Sequence, residues 1–169
     1  MHRSETSLVR SSLSKWCNGY GVDIGHGGDK IVPHAIAIDL PTPYGHCGTD
    51  PVQLGGDAAS LFWFNEGVLD FVFSSHLLED FDDTQEVLNE FARVLKMEGH
   101  LILYLPDEQA YRAHCAREKQ PRNPHHKHEY FNAEYVKSCV QKSNWYLELV
   151  HESPIVNHYS FELVFKKIC

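Results

Sequence analysis

The sequence predicts a single α/β domain with a doubly wound, mostly parallel sheet of seven strands, on three observations. Apolar runs of strand length alternate with amphipathic stretches at helical spacing through residues 20–105. One of these runs, 68–75, is nearly continuously apolar, as a strand covered on both faces must be. The last two runs, 145–151 and 158–166, alternate apolar and polar residues instead, and read as an antiparallel hairpin that closes the sheet.

The elements follow in order. Residues 4–16 space Leu8, Val9, Leu13 and Trp16 as on a short amphipathic helix, with Ser4 as its cap. A first strand covers 20–24 and a second 35–40, stopped by Pro41. Residues 41–51 hold the turn formers of a loop, 52–55 make a weak third strand, and 57–64 form a short aromatic-rich helical or loop segment. After the central strand at 68–75, residues 82–96 place Val87, Leu88, Phe91, Val94 and Leu95 on one helical face. That helix opens on Asp82 and Asp83 and ends on Lys96, with Gly99 beyond. A fifth strand at 100–105 ends at Pro106. A helix at 108–117 then leads into a loop at 118–128, broken by Pro121 and Pro124, and a helix at 132–142 precedes the hairpin.

Composition narrows the class. A chain of 169 residues with 43% hydrophobic and 22% charged content has the size and balance of one globular domain, 1–169. The net charge of −8 argues against nucleic acid as the main partner, because polyanion binding draws on basic surface. Five scattered cysteines with no C-x-x-C pair suggest neither a disulfide framework nor a cysteine zinc site, and fit a reducing, cytoplasmic setting. No apolar run approaches the ~18 residues of a membrane span, and Met1-His2-Arg3-Ser4-Glu5 is not followed by the apolar core of a signal peptide.

The ligand signal lies where strand gives way to glycine. Asp23-Ile24-Gly25-His26-Gly27-Gly28 is followed by a second strand ending in Asp39, the arrangement by which an α/β sheet lets a nucleoside touch backbone and offers an acid to its ribose hydroxyls. A dinucleotide site needs a third glycine at position 30, where this chain has Lys30. Asp29 adds a carboxylate where a pyrophosphate would lie, and Pro33 ends any helix that would cap it. S-adenosylmethionine carries a sulfonium in place of phosphates and tolerates a neighbouring Asp23. The methyl donor is therefore favoured over a nicotinamide cofactor, which stays as an alternative.

The segments 22–28, 37–39, 56–58, 70–79, 94–101 and 160–165 occur in the order and spacing of the class I S-adenosylmethionine-dependent methyltransferases, and the chain resembles that family from about Gly19 onward. The resemblance implies a Rossmann-like methyltransferase fold and S-adenosylmethionine as cofactor. It implies that Gly25 and Gly27 approach the methionine moiety with Asp23 beside it, and that Asp39 holds the ribose diol. Asp57 would meet the adenine amino group and Ala58 a ring nitrogen, while Ser74 and Ser75 line the methyl pocket. His26 and Leu40 complete the cofactor-binding set. Gly28 follows Gly27 directly where the family usually spaces its third glycine by two. Only 16 residues separate Asp23 from Asp39, so the first crossover helix is expected to shrink to about one turn. Set against this, Gly-Asp at 56–57 is also a common turn, and Ser74 with Ser75 can simply end a strand.

On the acceptor side, His76 is the expected catalytic base, with a purely structural histidine as the competing role. No Asn-Pro-Pro-Tyr or Asp-Pro-Pro-Tyr follows the central strand and no Pro-Cys pair is present, so nucleobase chemistry is not indicated. The acceptor expected is a small or saccharide-like molecule. The basic, histidine-rich stretch 112–128 is either a lid or acceptor site for an anionic group, or solvated surface. Its histidines, with His114 or Cys115, also admit a zinc reading, although no metal is assigned. A non-catalytic S-adenosylmethionine-binding protein is the remaining alternative.

Overall fold

The computed structural model describes residues 4–168. Its seven strands form one sheet in the order β3-β2-β1-β4-β5-β7-β6. They are β1 (Gly21–Ile24), β2 (Ile36–Asp39), β3 (Leu54–Gly55), β4 (Leu69–Ser75), β5 (Leu95–Pro106), β6 (Leu147–Val156) and β7 (Ser160–Lys167). The first five are parallel, and β7 runs antiparallel to both its neighbours, β5 and β6. The order reverses between β1 and β4, and this switch point is where an open α/β sheet leaves a crevice at its C-terminal edge.

Two hydrophobic layers make the sheet doubly wound. On one face α1 (Glu5–Leu13) sets Val9 and Leu13 against Phe71, Phe73, Ile102 and Tyr104. The Ser4 side chain accepts from the Ser7 N–H and caps this helix. On the other face α2 (Thr84–Val94) and α4 (Ala133–Gln141) bury Val87, Leu88, Phe91, Val136 and Val140 against Val22, Val72, Leu101 and Leu103. Asp83 and Asn132 cap these helices by accepting from backbone N–H groups three residues on. The remaining helix, α3 (Glu108–Glu118), follows β5 over the C-terminal edge and has Asp107 as its cap. Among the described residues no helix is long and apolar enough to cross a membrane. Cys17, Cys47, Cys115 and Cys139 are free thiols, while Cys169 and residues 1–3 lie outside the described residues.

Two elements differ from expectation, and the structure decides a third that the sequence leaves open. The β1–β2 crossover contains no helix at all. Gly25, Gly27 and Gly28 adopt φ of +71°, +56° and +86°, and Pro33 blocks a helical restart. The crossover instead turns Ile31, Val32 and Ala35 inward, so a folded loop supplies the apolar layer that a helix would. Of the two readings open for residues 57–64, helix or loop, the loop holds: they form turns without a helix. Finally, α2 stops at Val94 and β5 begins at Leu95, several residues earlier than the spacing predicts. Lys167 makes this abrupt change of backbone possible: its buried ammonium donates to the carbonyls of Ala92 and Leu95, both at 2.8 Å, and lies 3.8 Å from the centre of the Trp145 ring.

Candidate functional site

The glycine turn after β1 is held from two sides. From α1, the Arg10 guanidinium donates to Asp29 Oδ1 at 2.6 Å and to the Lys30 carbonyl at 2.9 Å, and the Ser4 hydroxyl also meets Asp29. From the β2–β3 loop, the N–H groups of Cys47 and Asp50 donate to the carbonyls of Gly27 and Gly28, each at 2.8 Å. Asp29 is thereby directed away from the crevice and neutralised by Arg10. The carboxylates that do line the crevice are Asp39, Asp57 and Asp80. The objection to a diphosphate thus comes from these three acids and not from Asp29.

Asp39 ends β2 at the lip of the crevice. Its Oδ1 accepts from the Leu40 N–H at 2.8 Å and its Oδ2 from the Gly27 N–H at 3.2 Å. Two backbone donors fix its orientation before any ligand arrives, which lowers the ordering cost of binding. Gly25, Asp57, Ala58 and Phe81 continue the wall around a crevice of ≈ 250 Å³. A second hollow of ≈ 230 Å³ shares Gly25, Asp39 and Asp80 with it, and extends past Gly27, Ser75 and His76 toward Asn123. Together they fall within the few hundred Å³ of a small-molecule site. A Cβ built on Gly27 would meet nothing closer than 3.9 Å, so its bare backbone borders open space that a ligand can approach.

These placements sort the expected residues. Gly25, Asp39, Leu40, Asp57 and Ala58 line the first hollow, and Gly25, His26, Gly27, Ser75 and His76 the second. Asp23 and Ser74 line neither. Asp23 is fully buried, with Oδ2 accepting from the Ile31 N–H at 2.6 Å and Oδ1 without a partner. Burial pushes its carboxyl up to about 8, and through the Ile31 N–H Asp23 holds the crossover loop. The Ser74 hydroxyl is likewise spent on the Ile24 carbonyl at 3.1 Å. His26 uses Nδ1 to accept from the Gly28 N–H at 2.9 Å, and desolvation keeps it below the usual histidine range.

His76 stands at φ +49° just beyond β4, with Nε2 3.0 Å from the Ser160 hydroxyl and 3.5 Å from a Glu5 carboxylate oxygen. Burial lowers its pKa, which favours the neutral ring. Beneath it lies Glu79, 1% exposed and with no hydrogen-bond partner on either oxygen; desolvation raises its pKa well above the usual carboxylate range.

Tyr44, Asp80, His125 and Lys127 also line the crevice; His125 and Lys127 belong to the stretch read as a lid or acceptor site, whereas Tyr44 and Asp80 carry no signal in the sequence. Tyr44 lies in a loop with no periodic pattern, and the 118–128 loop meets the crevice only through tertiary contacts. Of the basic stretch, Arg112 is paired with Glu108 at 2.7 Å and Arg117 with Glu118 at 2.9 Å.

A glycine turn after β1, a pre-oriented acid after β2 and a crevice at the switch point of a 3-2-1-4-5-7-6 sheet together define a class I S-adenosylmethionine-dependent methyltransferase. The chain belongs to the methyltransferase domain family, whose family model matches residues 8–103. Its cofactor is accordingly S-adenosylmethionine. Solved structures agree on the fold. A SAM-dependent methyltransferase from Archaeoglobus fulgidus is 16% identical with a TM-score of 0.69, over 98% of this chain and 96% of that one. A SAM-dependent methyltransferase from Thermotoga maritima is 19% identical with a TM-score of 0.66, over 98% and 88%. The YcgJ protein from Bacillus subtilis is 15% identical with a TM-score of 0.64, over 99% of both chains. No curated protein matches the sequence.

Proposed function

We propose that this chain transfers a methyl group to a small, hydroxyl-bearing, saccharide-like acceptor that enters beside His76. When bound, the cofactor supplies an electrophilic methyl on a positively charged sulfur. In this reading Asp39 holds the ribose diol, Gly25 and Gly27 bring backbone to the methionine half, and Asp57 with Ala58 borders the base. The observation that carries the acceptor side is the place of His76 on the wall of the second hollow, where burial favours its neutral ring. An alcohol is a weak nucleophile and gains from a base within hydrogen-bond reach, whereas alignment and exclusion of water supply most of the rest.

The acceptor need not be anionic. Lys127 is the one Lys or Arg of the 112–128 stretch on the crevice wall, while Asp39, Asp57 and Asp80 give that wall a negative balance. The test is methyl incorporation from labelled S-adenosylmethionine into fractionated metabolite extracts, comparing wild type with His76→Asn. One labelled fraction, with turnover down about 100-fold in the variant and cofactor affinity unchanged, supports the reading. Cofactor binding with no labelled product in any fraction identifies a binding protein without turnover.

A further inference from the structure

We propose that Glu79, Asp80 and His126 form a binding site for one divalent first-row transition-metal ion at the acid-lined floor of the crevice. One donor atom from each lies within 4.8 Å of the others. The three come from two separated segments. Glu79 and Asp80 sit in the single 3-10 turn after β4, Leu78–Asp80, and His126 in the loop between α3 and α4. The Lys127 N–H donates to the Glu79 carbonyl at 2.8 Å and pins that loop to the turn, holding His126 beside Glu79.

Three of the carboxylate oxygens here lack donors, while Asp80 Oδ2 accepts from the Tyr44 hydroxyl and His76 Nδ1 stands 3.8 Å from Glu79 Oε1. Glu79 is 1% exposed and neither of its oxygens has a hydrogen-bond partner; Oδ1 of Asp80 is buried and equally unpartnered. His126 Nδ1 lies 2.7 Å from Glu108 Oε2; in the tautomer whose Nδ1–H donates to that oxygen, the Nε2 lone pair is free 3.7 Å from Glu79 Oε1. A lone pair and a carboxylate oxygen facing each other in a buried site offer two donor atoms to a cation between them. Two donors bound to one ion at about 2.1 Å lie ~3–4 Å apart, so Nε2 and Oε1 already have that separation, and the Asp80 side chain closes the set by rotating. Among the described residues no Lys or Arg forms an ion pair with Glu79 or Asp80, whereas Glu108 is balanced by Arg112.

The Glu108–His126 pair is the outer-shell arrangement that orients a ligating imidazole and fixes its tautomer. One imidazole with two carboxylates suits Mn²⁺, Fe²⁺, Co²⁺ or Zn²⁺ better than Mg²⁺ or Ca²⁺, which prefer oxygen-only shells. Asp80 is the ligand that also lines both hollows, so an ion here lies next to the acceptor half of the crevice. That adjacency rests on the methyl-transfer reading; the ion site itself does not.

The test uses untagged full-length protein, stripped with chelator and free of cofactor, titrated with Mn²⁺ by the loss of its free-ion paramagnetic resonance signal and with Zn²⁺ by calorimetry. One saturable equivalent is expected. Glu79→Gln and His126→Gln should each weaken it at least 100-fold, and Glu108→Gln about 10- to 100-fold. The double variant His114→Ala/His158→Ala, which removes a stacked surface pair, should leave it unchanged. Circular dichroism checks folding, and Glu79→Gln, which keeps shape and loses charge, carries the test should His126→Gln unfold. Folded wild type that binds neither ion, or binding that stays within threefold in the folded ligand variants, overturns the proposal. Because no cofactor is present, such a failure leaves the methyltransferase assignment untouched.

Discussion

The Tyr44 ring stacks on His125 with centroids 4.1 Å apart and planes 22° from parallel, joining the β2–β3 loop to the α3–α4 loop across the crevice. The Tyr44 hydroxyl adds a hydrogen bond to Asp80. The two loops thus form a strap between the hollow at Asp57 and the hollow at His76. Tyr44→Ala removes a stacking pair of about 0.5–1.5 kcal/mol together with a charge-assisted hydrogen bond at an exposed position. The expected result, read by calorimetry, is a 3- to 30-fold weaker affinity for S-adenosylhomocysteine (about 0.7–2 kcal/mol). The melting temperature should move by only a few degrees.

Asp23 should make the protein less stable as pH rises. Its folded-state pKa, about 8, lies above the ordinary carboxylate value of 3.8, so the folded chain holds a proton that the unfolded chain releases. That contribution is fully present below pH ~4 and is lost as pH climbs through ~8. Asp23→Asn keeps an acceptor for the Ile31 N–H and has no charge to bury. Urea unfolding at pH 5 and pH 8 should show wild type losing on the order of a few kcal/mol over this interval. The variant should lose clearly less, and parallel losses in the two proteins would refute the assignment.

Neighbouring glycines should separate binding from folding. At Gly28 (φ +86°) a Cβ would lie 2.5 Å from a ring nitrogen of His46 and 2.9 Å from the Gly48 backbone. At Gly27 (φ +56°) its nearest contact would be the Gly45 carbonyl oxygen at 3.9 Å. Gly28→Ala should therefore cost about 2–4 kcal/mol of stability, combining backbone strain with a steric clash. Gly27→Ala should cost only about 1 kcal/mol, while its methyl intrudes on the hollow and weakens cofactor affinity more than Gly28→Ala does in protein that remains folded. Thermal melts paired with calorimetry read both quantities.

Much of the sheet was legible because its residues obey a period. The continuous apolar run became β4, the alternating runs became β6 and β7, and Asp83 and Asn132 stand at the helix caps their side chains suit. Asp39 was legible as an acid ending a strand. The roles of Asp23 and Asp29 were not, because each is decided by a partner distant in sequence or by burial: Ile31 for Asp23, Arg10 for Asp29. The missing crossover helix was underestimated, since one-turn helices and folded loops share the same glycines and prolines. Tyr44, His125 and His126 belong to irregular loops and Asp80 to a single 3-10 turn, and only their meeting over the C-terminal edge gives them neighbours.

Titrating the protein with S-adenosylhomocysteine by calorimetry, beside Asp39→Ala and with NAD as a second ligand, tests the placement of the cofactor most directly. Asp39 is oriented by Gly27 and Leu40, and in the proposed reading it accepts from a ribose diol; loss of hydrogen bonds to a charged acceptor is worth about 1.5–3 kcal/mol. Wild type should bind one equivalent of S-adenosylhomocysteine and no NAD, with Asp39→Ala about 10- to 100-fold weaker. Equal affinity in wild type and Asp39→Ala, or NAD binding in place of S-adenosylhomocysteine, would contradict it.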